Sequence, residues 1–350
     1  MKKILTIIVP TYNMELYLDR ALRSLIIADK DLMKSLDVLI INDGSKDASS
    51  VIAHKYVELY PDVYRVIEKE NGHYGSCVNR GLKEAKGKYI KILDADDWYD
   101  TINFESFLHF LKGTDVDLVV SYFDMVTQTG DVVIKGRYKS TQKPIKLNEN
   151  TELYEMWMHA VTYKLTIFDN LPYHQTEGIS YTDQEWIFLP MVRVKSVHVF
   201  PYVVYKYLVE RDGQSVSPSV FVKNMPQEIQ SFKAQQSAWE LSGKIGRGDA
   251  SEYMNYRLLW RSKMIYQHII LRFYQGFRNK DLIELDNYIK SNNPELYNCL
   301  DAYKFDDRHF RFIHYWRKWF HCRPLIWLFV KLDNFGPHIR DKYLNSARQS

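Results

Sequence analysis

The first hundred positions alternate between short apolar runs and longer stretches in which apolar residues recur every three or four places. Residues 4–9 form a nearly continuous aliphatic and β-branched run, the pattern of a parallel strand buried on both faces. Residues 15–27 then carry Leu18, Leu22, Leu25 and Ile26 at helical spacing. The cycle repeats with a strand at 37–41, a helix at 49–59 and a strand at 64–68. A glycine-punctuated loop at 71–76 follows, then a helix at 77–85 closed by Gly87, and a strand from Lys88. This alternation predicts a parallel sheet covered by helices on both faces.

Beyond residue 100 the pattern changes. Residues 104–111 read as a helix, and 117–127 with 131–138 as antiparallel strands about Thr129-Gly130. A polar loop at 139–150 precedes residues 153–165, whose Met, Trp and Tyr content suits a helix in the core or in an acceptor wall. A helix is expected to start at Asp183 and run through Phe188 and Leu189, followed by a strand at 197–209 and a polar loop at 210–217. From Gln227 the chain reads as helices, with breaks near 243–248 and 292–294. The expected organisation is a catalytic domain over 1–220, with a nucleotide-binding half (1–100) and an acceptor half (101–220), then a helical region over 221–350.

Composition narrows this little. Hydrophobic residues make up 46% and charged residues 26%, values of a globular chain, and the net charge of +4 is too small to point to nucleic acid. Cys77, Cys299 and Cys322 have neither pairing nor metal-ligand spacing, which suits a reducing compartment. The apolar run at the N-terminus is short and stops at Pro10, so a buried strand is expected there rather than a signal peptide. No stretch reaches the roughly 20 apolar residues that span a bilayer. The expected location is cytoplasmic, with contact at a membrane surface left open.

The candidate chemistry sits at the strand ends. Thr11 and Asn13 follow the first strand, Asp43 the second, Asn71 opens the loop after the third, and Asp94 and Asp96 end the fourth. Ligands of open parallel sheets bind at those carboxyl ends, so four converging ends make a nucleotide-sized site. Strand alternation would put Asp94 and Asp96 on one face and Asp97 on the other. Two adjacent carboxylates suit a hard cation such as Mg²⁺ or Mn²⁺ with diphosphate oxygens completing its shell. The same residues also suit an acidic turn before a helix, with Asp97 or Asp100 as its cap. No G-x-G-x-x-G follows the first strand and no phosphate-binding G-x-x-x-x-G-K occurs, which disfavours dinucleotide and P-loop folds.

Four segments, Val9-Pro10-Thr11-Tyr12-Asn13, Asn42-Asp43-Gly44-Ser45-Lys46-Asp47, Asp94-Ala95-Asp96-Asp97 and Thr182-Asp183, together resemble family 2 glycosyltransferases of the GT-A fold. The resemblance covers roughly the first 220 residues. It implies a nucleotide-sugar donor, usually a UDP-sugar, a divalent metal (Mn²⁺ or Mg²⁺) and inversion at the anomeric carbon. It places Pro10, Thr11, Tyr12 and Asn13 at the nucleotide, with Thr11 and Asn13 under the base and ribose. Asp43 would bond the uracil, and Asn71, Asp94 and Ala95 would line the same nucleotide, Asp94 at the ribose. Asp96 would hold the metal, Asp183 would be the general base, and Arg211, in the loop 211–217, would reach the donor phosphates. One departure stands out: where many relatives carry Ala-Arg-Asn, this chain has Cys77-Val78-Asn79, so an arginine that often helps bind the nucleotide is replaced by Val78.

The implied acceptor is a glycan or a polyprenyl-diphosphate-linked oligosaccharide in cell-surface polysaccharide synthesis. Asp183 also suits a plain helix cap, and Arg211 an ordinary surface arginine. Residues 308–331 contain no acidic residue and interleave Arg308, Arg311, Arg317, Lys318 and Arg323 with Phe310, Phe312, Tyr315, Trp316, Trp319, Phe320 and Trp327. That mixture suits a lipid headgroup boundary, a helix packed on the catalytic domain, or, least of the three, single-stranded nucleic acid. Two other functions compete. A nucleotidyltransferase would normally show a Gly-rich, Lys- or Arg-containing loop where Pro10-Thr11-Tyr12-Asn13 stands. A non-catalytic glycan- or lipid-binding module would be expected to have lost Asp96 or Asp183.

Overall fold

The computed structural model describes residues 2–209, 218–272, 279–304 and 311–326. The chain divides into two compact units, Met1–Asp212 with Ser237–Tyr253, and Gly213–Gln236 with Met254–Ser350. Arg211 and the rest of 210–217 lie outside the described residues, as do 308–310 and 327–331.

The first unit opens with β1 (Leu5–Thr11), α1 (Leu18–Arg23), α2 (Lys30–Met33), β2 (Leu36–Asn42), α3 (Ser49–Leu59), β3 (Tyr64–Glu68), α4 (His73–Glu84) and β4 (Tyr89–Ile92). It continues with β5 (Trp98–Tyr99), α5 (Thr101–Gly113), β6 (Leu118–Val126), β7 (Val132–Gly136), β8 (Val161–Lys164), α6 (Asp183–Trp186) and β9 (Val197–Leu208). Its strands form one mixed sheet in the order β3-β2-β1-β4-β8-β6-β9-β5, with β7 paired to β6. β3, β2, β1 and β4 are mutually parallel, and the sheet turns antiparallel where β8 pairs with β4 and β6. All seven residues of β2 are buried, as a central strand covered on both faces requires.

Three expectations from the sequence are corrected here. Residues 153–165 do not form a helix; they make two short 3-10 turns and then β8. β8 fills the gap between β4 and β6, with Tyr163 in register with Ile90 on one side and Leu118 on the other, so tertiary pairing overrides the local pattern. The helix at Asp183 lasts only four residues, because Pro190 cannot continue it, and Leu189–Arg193 is a 3-10 turn. The third concerns the loop at 71–76, because α4 already begins at His73.

α7 (Pro218–Ile245) and α8 (Ser251–Gln267) contribute residues to both units. The second unit adds α9 (Asn279–Asn292), α10 (Pro294–Ala302) and α11 (Phe312–Lys318). Much of the basic-aromatic segment is spent on internal packing there. Phe312, Ile313 and Trp316 are buried, and Arg317 pairs with Asp286 at 2.7 Å and with Asp301 at 3.3 Å. Phe320, by contrast, is 94% exposed, beside exposed Lys318. Among the described residues no helix is long and apolar enough to cross a membrane.

Candidate active site

The loops leaving β1 and β2 are stitched to each other at the carboxyl edge of the sheet. Asn13 sits at φ 52°, a left-handed conformation that Asn tolerates better than most residues. Its N–H donates to Ser45 Oγ (3.0 Å), and its side-chain oxygen accepts from the Lys46 N–H (2.8 Å). The Glu15 N–H donates to Asp47 (3.0 Å) and the Ala48 N–H donates to Glu15 (2.8 Å). Pro10 pairs in register with Ile41, Thr11 is buried, and Tyr12 is exposed. The buried carboxylate of Asp43 accepts from the Lys69 ammonium and from the Gly72 N–H (2.9 Å), and Asn71 Nδ2 donates to the Asp43 carbonyl (3.0 Å). The loop after β3 is thereby fastened to the loop after β2.

The acidic segment is a turn, not a strand end. β4 stops at Ile92, and the Asp97 N–H bonds back to the Asp94 carbonyl at 3.0 Å. Strand alternation therefore does not govern which carboxylates meet. Asp94 and Asp97, expected on opposite faces, converge with His159, each offering a donor atom within 4.8 Å of the others. Asp97 is wholly buried and accepts from the Tyr205 hydroxyl (2.6 Å) and the Leu208 N–H (2.7 Å). Burial, and then the charges of Asp96 and Asp94, push its carboxyl well above the usual carboxylate range. Buried Ala95 lies within the turn, and the Arg20 guanidinium stacks on Trp98 at 3.7 Å while donating to the Asp96 carbonyl at 2.9 Å.

Several residues that sequence reasoning passed over complete the crevice. Tyr74, in the first turn of α4, donates its hydroxyl to Asp94 Oδ1 at 2.9 Å. The Tyr205 hydroxyl accepts from the Asp94 N–H at 3.1 Å, so one phenol bridges both ends of the acidic turn. His159 stacks on Tyr207 with ring centroids 4.5 Å apart, and meets Tyr205 at 4.8 Å. Lys91 is fully buried in β4 and donates to the carbonyls of His159 (2.6 Å) and Val161 (3.2 Å); burial lowers its ammonium to about 7. Burial and Lys91 together lower His159 to about 3, which leaves a neutral imidazole. Tyr205 and Tyr207, two apart on β9, were findable from strand periodicity. Nothing local marks His159.

Asp183 comes from a separate segment of the same unit. It is the first residue of α6, with Thr182 at the cap position, and its Oδ2 accepts from Gln184 at 3.0 Å. The segment before it is anchored to α4. Asn79 Nδ2 donates to the Gln175 carbonyl (2.8 Å), the Gly178 N–H donates to Gly72 (2.9 Å), and Glu185 accepts from the Thr176 N–H (2.8 Å). A side chain at Gly75 would lie 2.0 Å from the Thr176 carbonyl oxygen, so only glycine allows this approach. Val78, at the departure from the common pattern, is buried in the core. The Tyr207 hydroxyl is raised by burial and then by Asp97, Asp94, Asp96 and Asp183 in turn. Tyr74 likewise feels Asp94 and Asp183 after burial. The charges of Asp94 and Asp183 thus raise both of these phenols.

The residues present fit a divalent cation. Carboxylate oxygens and a neutral imidazole are suitable donors, and His159 Nδ1 is buried without a hydrogen-bond partner. Burial first, and then the neighbouring charges of Asp96 and Asp94, raise Asp97, as a site short of positive charge would.

This mixed sheet, with acidic groups at its carboxyl edge, has the GT-A fold. S. aureus TarS 1-349, whose crystal structure is in complex with UDP-GlcNAc, has this fold, with a TM-score of 0.59 at 16% identity over 97% of this chain and 92% of that one. Residues 6–171 match the family model described as Glycosyl transferase family 2. The minor teichoic acid biosynthesis protein GgaB of Bacillus subtilis is 29% identical over 215 residues, 60% of this chain and 23% of GgaB. The uncharacterized glycosyltransferase MG025 of Mycoplasma genitalium is 31% identical over 189 residues, 49% of this chain and 61% of MG025. The chain thus spans less than two-thirds of the length of these curated relatives.

Proposed function

We propose that this protein is an inverting glycosyltransferase that moves a sugar from a UDP-sugar to a hydroxyl of a glycan or lipid-linked acceptor in cell-surface polymer synthesis. The observation that carries this reading is the cluster of Asp94, Asp97 and His159, whose donor atoms lie within 4.8 Å of one another just beyond β4 in a GT-A sheet. In-line transfer needs a base on one side of the sugar and a diphosphate-binding group on the other.

In that reaction the acceptor oxygen attacks the anomeric carbon, and Asp183 takes its proton. The bond to the diphosphate breaks, and UDP leaves with the electron pair. General base catalysis of this kind contributes roughly 10²–10⁴ in rate. Asp43, Asn71, Thr11 and Asn13 would hold the uridine, Asp94 the ribose, and Arg211 the phosphates. A Mn²⁺ or Mg²⁺ ion, held by Asp96 with Asp94, Asp97 and His159 beside it, would supply Lewis-acid stabilisation of charge on the leaving diphosphate. The UDP-GlcNAc complex of TarS and the teichoic acid role in the name of GgaB support the donor and the polymer class. Exposed Phe320 and Lys318 support work at the inner face of the membrane, where a lipid-linked acceptor would lie.

Calorimetric titration of UDP into the protein, with Mn²⁺ and then with EDTA, tests this reading. Binding that requires the metal, and that Asp96→Ala abolishes, is the expected outcome. Preference for CTP or dTTP over UDP would replace the reading with a nucleotidyltransferase.

A further inference from the structure

We propose that Trp157 is a stacking platform for a ring sugar of the acceptor. The inference rests on the glycosyl-transfer reading of the neighbouring carboxylates and adds the acceptor side of that site. Trp157 is 43% exposed, yet it is not a loose surface side chain. One edge of its indole lies against Phe123 (5.7 Å between centroids) and against His159 (6.1 Å). His159 in turn stacks on Tyr207 and stands 3.9 Å from Asp94 Oδ2. A row of rings therefore runs from solvent at Trp157 to the acidic turn, where transfer would occur.

The backbone under the indole is fixed at both ends. The Trp157 N–H donates to the Tyr138 hydroxyl at 3.3 Å, and two residues on, the His159 carbonyl accepts from buried Lys91 at 2.6 Å. Behind it, Phe123 is clamped under β7, because a side chain at Gly136 would lie 2.0 Å from the Phe123 ring. A large flat ring, 43% exposed and braced at a tilt by Phe123 and His159, is costly in solvent, and it loses little conformational entropy when a ligand covers it. The partner that suits such a face is the C–H side of a pyranose, whose hydroxyls point outward to polar groups at the rim. A ring-free polyol chain offers no matching flat apolar face.

Saturation-transfer NMR of the full chain with UDP and Mn²⁺ tests this, with chitotriose, maltotriose and cellobiose as ring probes and ribitol as the ring-free control. Transfer to ring C–H protons of at least one glycan, and none to ribitol, is expected from the unsubstituted protein. Trp157→Ala should lose that signal or weaken glycan binding about tenfold, while Trp157→Phe retains most of it. UDP binding should be unchanged in both variants, which also shows that they fold. Undiminished transfer in Trp157→Ala, or no transfer to any of the three glycans in protein that binds UDP, would overturn the platform. Failure of the unsubstituted protein to bind UDP would instead sink the glycosyl-transfer reading on which it rests.

Discussion

β1 and β2 bury nearly all of their side chains and deliver function only through the loops that leave them, whereas β8 and β9, with the turns before β8, place chemistry-bearing side chains within the sheet region itself. In the parallel half, Asn13, Asp43 and Asn71 act where the chain has left the ladder, and each is tied to a neighbouring loop. In the mixed half, Tyr205 and Tyr207 lie on β9, which is parallel to β6 and antiparallel to β5, and His159 sits in the 3-10 turn before β8. The difference follows from burial. A parallel strand covered on both faces holds a polar side chain only with an internal partner, as Asp37 has in Arg65, whereas β9 is only partly buried. The donor side should thus tolerate changes in strand residues of similar size, and the acceptor side should not.

The largest expected effect tests the two sides separately. Asp183→Asn should reduce transfer by roughly 10²–10⁴ because an amide cannot take the hydroxyl proton, while calorimetry finds UDP binding intact. Joint loss of both would mean that the two sides are not separable. Gly75→Ala should come next. The added methyl meets the Thr176 carbonyl, destabilising the fold by about 1–3 kcal/mol in urea unfolding, and it should lower kcat by shifting the segment that carries Asp183.

Tyr205→Phe asks whether the acidic turn depends on β9. Removing the hydroxyl strands the Asp94 N–H and one oxygen of buried Asp97, a loss of about 1–3 kcal/mol visible in the urea midpoint. No change in midpoint would show that the turn holds itself. The smallest effect lies far from the crevice, at Asp115, which Lys164 and Lys88 hold down to about 2 from the usual 3.8. A carboxyl depressed by folding contributes stability above its unfolded value and loses it as pH falls through the folded one. Stability should therefore drop between pH 3.8 and about 2, less so in Asp115→Asn, and only slightly because the side chain is exposed.

Much of the donor half was legible without coordinates. The runs at 37–41, 49–59 and 64–68 coincide with β2, α3 and β3 to within a residue, because buried strands and amphipathic helices leave periodicities of their own. The polar residues that close those strands were visible for the same reason, as abrupt ends to apolar runs. What failed was local reasoning where distant pairing decides. Residues 153–165 carry a helix-like composition, and only the gap between β4 and β6 makes Val161–Lys164 a strand.

The acidic turn shows the same division. That Asp94, Asp96 and Asp97 close β4 was determined by the order of residues alone. That Asp97, rather than Asp96, meets Asp94 and His159 was decided by a backbone hydrogen bond that reverses the chain after Ile92. The company of Tyr74, Lys91, His159 and Tyr207 around that turn came from segments more than a hundred residues apart in the sequence. Sequence periodicity encodes which face of an element is buried; it carries no record of which other element will cover that face, and only the packed sheet supplies it.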